Sequence, residues 1–149
     1  MLSVNPMIEA ISLLAFKEIE LNFDSAMPEI YKGEDTGIYG WPAILGQVLN
    51  AEVSKHARSR CRVITKFKRP DQFIYIDIDA RRLPDATTIQ ELNEHLDRIA
   101  KGETWPHSYS GNRMAANVLR RKYKGEMKLE IIDDPPYTVR TTIRVPASI

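Results

Sequence analysis

Apolar residues recur at helical spacing in the first part of the chain. Ile8, Ile11, Ala15, Ile19 and Phe23 follow at steps of three and four, which places them on one face of a helix. Asn5 offers an N-cap, and Pro6 suits the first helical position because its missing N–H would be unpaired there anyway. Leu13, Leu14, Phe16 and Leu21 widen the apolar surface beyond one stripe, so the helix is expected to be deeply buried or shared with a partner. Pro28 ends it at the latest. Residues 28–58 are punctuated by Gly33, Gly37, Gly40 and Pro42. Residues 43–53 suit a short helix or a strand, and a strand beginning near Pro42 is the expectation.

Alternation takes over next. Residues 60–67 and 72–79 read as strands joined by the turn 68–71, Lys-Arg-Pro-Asp. A four-residue turn pairs 67 with 72. One face then sets Cys61 opposite Ile78, Val63 opposite Ile76 and Thr65 opposite Ile74. The other sets Arg60 opposite Asp79, Arg62 opposite Asp77 and Ile64 opposite Tyr75. A second helix opens on the capping box Thr88 and Glu91, backed by Thr87 and Gln90, and buries Ile89, Leu92, Leu96 and Ile99 before Gly102 stops it. A third helix, 112–124, buries Ala115, Val118 and Leu119. The last two strands alternate: Met127, Leu129 and Ile131 on one, Val139, Thr141, Ile143 and Val145 on the other. A five-residue loop, 133–137, keeps these apolar faces together and sets Glu130 opposite Arg140. The expected fold is one α+β domain over residues 1–149, an antiparallel sheet of two β-hairpins packed against two or three helices.

Composition adds limits. At 149 residues the chain can bury an ordinary core without staples. Its single cysteine, Cys61, excludes an internal disulfide and any multi-cysteine metal site. No apolar run approaches the roughly 20 residues that span a bilayer, and the opening residues lack a basic region leading into an apolar stretch, so no signal peptide and no membrane partner are expected. Synthesis in a reducing cytoplasm fits. Charge is uneven. Residues 1–54 hold two basic and eight acidic side chains, a balance of −6, whereas residues 55–82 hold nine basic and three acidic, a balance of +6. These thirds can complement each other within one molecule or between copies.

Candidate chemistry is sparse. His56, His95 and His107 fall in three different segments with no shared spacing; the loop of His107 also offers Trp105, Ser108 and Tyr109. Asp77 and Asp79 point to one side of a strand, as a Mg²⁺ or Mn²⁺ pair would, but Arg60 and Arg62 are expected to satisfy them. Arg58, Arg60, Arg62, Lys66, Lys68 and Arg69 line a hairpin that also bears Phe73 and Tyr75. A nucleic-acid-binding module using residues 58–69 is therefore an alternative, and the cluster 120–124 would extend it. A small metal-dependent enzyme centred on Asp77 and Asp79 is another. No P-loop, G-x-G-x-x-G, G-x-S-x-G or H-E-x-x-H occurs, so neither catalytic residues nor a cofactor are expected.

The order of these pieces resembles the tail-terminator or tail-completion proteins of tailed bacteriophages. The matching pieces are Met7 to Phe23, Trp41-Pro42-Ala43-Ile44, the strand from Phe73 to Asp79, the helix from Thr88 to Gly102, then Asp133-Asp134-Pro135 and the strand from Tyr137 to Val145. The resemblance implies a non-enzymatic virion protein, made in the host cytoplasm, that forms a homo-oligomeric ring and meets other tail or neck proteins. Its expected contacts are Arg60, Arg62, Lys66, Lys68 and Arg69 on the basic side, with Glu29, Glu34 and Asp35 on the acidic side.

Overall fold

Alternation organises more of the chain than helical spacing does. The computed structural model describes residues 4–15, 18–30, 48, 60–81, 86–102 and 112–148. Their elements run α1 (Val4–Ala15), β1 (Glu18–Phe23), β2 (Glu29–Ile30), β3 (Arg60–Lys68), β4 (Phe73–Ala80), α2 (Ala86–Ala100), α3 (Asn112–Tyr123), β5 (Glu126–Asp134) and β6 (Tyr137–Ser148).

The long first helix is thus corrected. It stops at Ala15, and Glu18-Ile-Glu-Leu-Asn-Phe23 is a strand whose exposure alternates along its length. Asn5 lies inside α1 and acts as a tether: its amide donates to the Asp24 carbonyl at 3.0 Å and its carbonyl accepts the Thr65 hydroxyl at 2.9 Å. Val48, the one described residue in the stretch expected to be a strand, is helical and buried.

The sheet is mixed, six-stranded and ordered β1-β3-β4-β6-β2, with β5 also paired to β6. β1 lies parallel to β3, and every other pair is antiparallel. The expected all-antiparallel sheet of two hairpins therefore holds for the hairpins and fails for β1. Both hairpins form. In the first, Val63 faces Ile78, Arg62 faces Asp79 and Ile64 faces Asp77, a register two residues from the expected one. The turn causes the shift. Gln72 takes a left-handed φ of 60° and donates to the Lys68 carbonyl at 2.9 Å, so the loop is 69–72. In the second, Glu130 faces Arg140 as expected, but pairing resumes past an irregularity at Asp134 and Tyr137, leaving only the Pro135–Pro136 dipeptide at the tip.

One face of the sheet carries the core. Cys61, Val63, Ile74, Ile76, Ile78, Val139, Ile143 and Val145 meet Val4 and Ile8 of α1, Ile89, Leu96 and Ile99 of α2, and Ala115, Leu119 and Tyr123 of α3. Helix α2 begins at Ala86, so Thr87 and Thr88 sit in its first turn rather than at its cap. Gly102, at φ 99°, closes it by donating to the Ile99 carbonyl. Helix α3 ends where Lys124 turns left-handed, at φ 55°, and Gly125 donates to the Leu119 carbonyl. A β-carbon at Gly125 would stand 2.6 Å from the Arg144 carbonyl oxygen, so only glycine fits beside β6 there.

Candidate functional site

With the described helices all on the core side, the other face of the sheet is open among the described residues and holds the charges. Its register builds an alternating row across five strands: Glu20 on β1, Arg62 on β3, Asp79 on β4, Arg140 on β6 and Glu130 on β5. Asp79 is the centre and is fully buried. Arg62 donates to Asp79 Oδ2 from Nε at 2.9 Å and from Nη2 at 2.7 Å, and reaches Asp134 at 2.5 Å. Arg140 Nε donates to Asp79 Oδ1 at 2.7 Å. Burial works against the charge on Arg62, but its bonds to Asp134 and Asp79 outweigh that cost and hold it more firmly charged than usual. For Arg140 the bond to Asp79 leads and outweighs burial.

Asp77, in the next row, accepts the Thr142 hydroxyl at 2.8 Å and lies 3.6 Å from Lys66. The two aspartates are therefore committed to protein partners, and among the described residues no three histidine, cysteine, aspartate or glutamate side chains converge as a metal site. That corrects the metal-centre alternative. The partners differ from those expected: Arg62 takes Asp79 instead of Asp77, and Arg60 turns to Glu18 of β1 at 2.7 Å.

The hairpin is also a poor nucleic-acid strip. Arg60 and Arg62 are bound to carboxylates, and cations cover its rings. Lys68 lies 4.4 Å from the Tyr75 centroid, Arg144 4.5 Å from Phe73, and Arg69 5.7 Å from Phe67. Of the expected acidic contacts, Glu29 sits on β2 opposite Ser148. Glu34, Asp35, Arg58, His56 and His107 lie outside the described residues. Cys61 is buried, as its inward register implied.

Two features of the core side were not singled out from the sequence. Thr141 is wholly buried on the helix-facing side of β6, between Ile78 of β4 and Leu129 of β5, and its hydroxyl has no hydrogen-bond partner among the described residues. Asn93 of α2 reaches the outer edge of β5, where its amide donates to the Leu129 carbonyl at 2.6 Å and accepts the Leu129 N–H at 2.9 Å. The only sequence trace of Thr141 was a polar residue in an otherwise apolar alternation.

No protein-family profile and no curated protein matches the chain. Solved structures do. The catalytic domain of histidine kinase ThkA, in a nucleotide-free form, superposes with a TM-score of 0.67 at 10% identity, over 99% of this chain and 97% of that one. ThkA in complex with the response regulator TrrA aligns at 0.60 and 12% identity, with 98% of this chain covering 41% of the kinase. The histidine kinase AdeS of Acinetobacter baumannii aligns at 0.56 and 12% identity, over 99% of this chain and 66% of that one.

The chain therefore has the fold of a histidine-kinase catalytic domain, and this overturns the resemblance to phage tail terminators. The ring, the tail and neck partners and the virion location rested on that resemblance and fall with it. So does the expectation of a non-enzymatic structural protein, since the fold is one that enzymes use for catalysis.

Proposed function

We propose that this chain serves a signalling protein as an adenine-nucleotide-binding domain of the histidine-kinase catalytic type, taking the base between the core face of the sheet and helices α2 and α3. The observation that carries this reading is the superposition on a kinase catalytic domain over nearly the whole of both chains. The Thr141 hydroxyl supports it. A buried hydroxyl without a partner costs roughly 1–3 kcal/mol, and a purine edge entering beside it would supply the missing bond. The surrounding Ile78, Leu129, Val139 and Ile143 suit the flat faces of a base.

The described residues fit the base better than the metal-bound phosphates. Their acidic pair, Asp77 and Asp79, points to the opposite face and is already bonded. The reading is accordingly one of binding, and no phosphoryl-transfer step is assigned.

Thr141→Val tests it. Valine keeps the shape and removes the orphaned hydroxyl, so the free protein should gain about 1 kcal/mol in urea unfolding. ATP and ADP should raise the melting temperature of the native chain, by the equivalent of about 2.7 kcal/mol at a hundredfold excess over Kd. The variant should lose most of that rise. No thermal shift and no calorimetric heat with ATP, ADP or AMP would overturn the nucleotide reading.

A further inference from the structure

On the open face the arginines are held by short bonds to carboxylates, and the lysines are held more loosely. Lys66, Lys68, Tyr75, Asp77, Lys128, Glu130, Arg140 and Thr142 line a trough of about 270 Å³. Four of these side chains are cationic and two anionic, so the lining carries a balance of +2. Both negative charges face internal partners: Asp77 takes the Thr142 hydroxyl, and Glu130 stands opposite Arg140.

Three ammonium groups remain for an incoming ligand. Lys66 is exposed, and its ion pair with Asp77 is long at 3.6 Å. Lys68 lies over the Tyr75 ring and feels the exposed Asp71 carboxylate nearby. Lys128, on the far bank, is exposed and forms no ion pair among the described residues. Short Thr142 leaves the floor low between them.

We propose that this trough binds a small phosphate-bearing dianion, clasped by Lys66 and Lys68 on one side and Lys128 on the other. The lining's positive balance matches a dianion in sign and size, and ammonium groups on flexible stems act as point charges toward phosphate. An extended nucleic-acid strand suits it less, because Glu126, Asp77 and Glu130 interrupt the cations and cations already cap the rings. The site is on the opposite face from Thr141 and stands independently of the nucleotide reading.

The test is calorimetric titration of the whole chain with pyrophosphate, inorganic phosphate and malonate at low salt. Pyrophosphate should bind, and Lys66→Gln with Lys128→Gln should raise its Kd at least about tenfold. All of these side chains are exposed, so the fold should be kept, as circular dichroism would show. Glu130→Gln should tighten binding severalfold. Lys101→Gln, just past α2, with Arg121→Gln on α3 removes the same charge from the helical side and should leave Kd unchanged, as should Thr141→Val. Equal weakening by the helix variant would reduce the trough to general electrostatics and overturn the site. Malonate binding as tightly as phosphate would overturn the phosphate assignment, and no heat with pyrophosphate would overturn both.

Discussion

At Asp79, two guanidinium groups replace the water a carboxylate would otherwise hold. Its carboxylate is fully buried, and both oxygens accept from Arg62 or Arg140. Such a group is costly to bury alone and costly to remove alone, because removal leaves its partners facing each other. Asp79→Ala should therefore destabilise the protein by about 3–5 kcal/mol, while Asp79→Asn, which keeps one acceptor, should cost less. Urea midpoints measure both, and equal effects would mean that charge is not what matters there. Sequence reading found this aspartate but set Arg60 opposite it where the structure sets Arg62, and it did not find Arg140. Arg140 becomes its partner only once β6 lies beside β4, and at 61 residues away in the chain no local pattern announces that pairing.

At the scale of elements, two of the misreadings share one cause: periodicity alone cannot separate certain alternatives. Ile19 and Phe23 continue the three-and-four spacing of α1, yet Glu18 to Phe23 also alternates strictly. The neighbour decides. Beside β3 the strand puts Glu18 and Glu20 against Arg60 and Arg62, which no helix could do. Likewise a register shift of two leaves both faces of the β3–β4 hairpin intact, whereas a shift of one would exchange them. The faces were thus legible, and the pairing depended on where the turn fell. Edge protection belongs to this scale too. Asn93 occupies the free N–H and carbonyl of Leu129 as another strand would. Asn93→Ala should cost about 1–2 kcal/mol and speed amide exchange at Leu129. Unchanged exchange there would show that the edge is guarded by something else.

Across the whole molecule, the opposite charges of the first and second thirds of the sequence meet inside one copy, at least where Glu18 pairs with Arg60. The open face also shapes the response to pH. Tyr137 is raised above the ordinary tyrosine range, first by burial and then by Glu20, with Arg62 opposing. Tyr75 is raised by burial and by its bond to Asp71, with Arg144 opposing. A raised folded value means the fold prefers the neutral phenol. This stabilisation is complete below the unfolded value of about 10 and fades as pH rises through the raised values. Urea midpoints should accordingly drop above about pH 10, and less steeply in Tyr137→Phe. An identical alkaline slope in that variant would remove Tyr137 from the account.

The position of β6 also governs when the sheet can form. Its residues pair with β4 on one flank and with β5 and β2 on the other, so segments from the first, middle and last parts of the chain converge on the last strand. Until it emerges from the ribosome, β4 has one neighbour and β2 none among the described strands. Nascent chains must therefore hold an unfinished sheet edge until residues 137–148 have been made. Completion waits on that one strand and closes long loops, which favours slow, all-or-none folding over stepwise growth strand by strand.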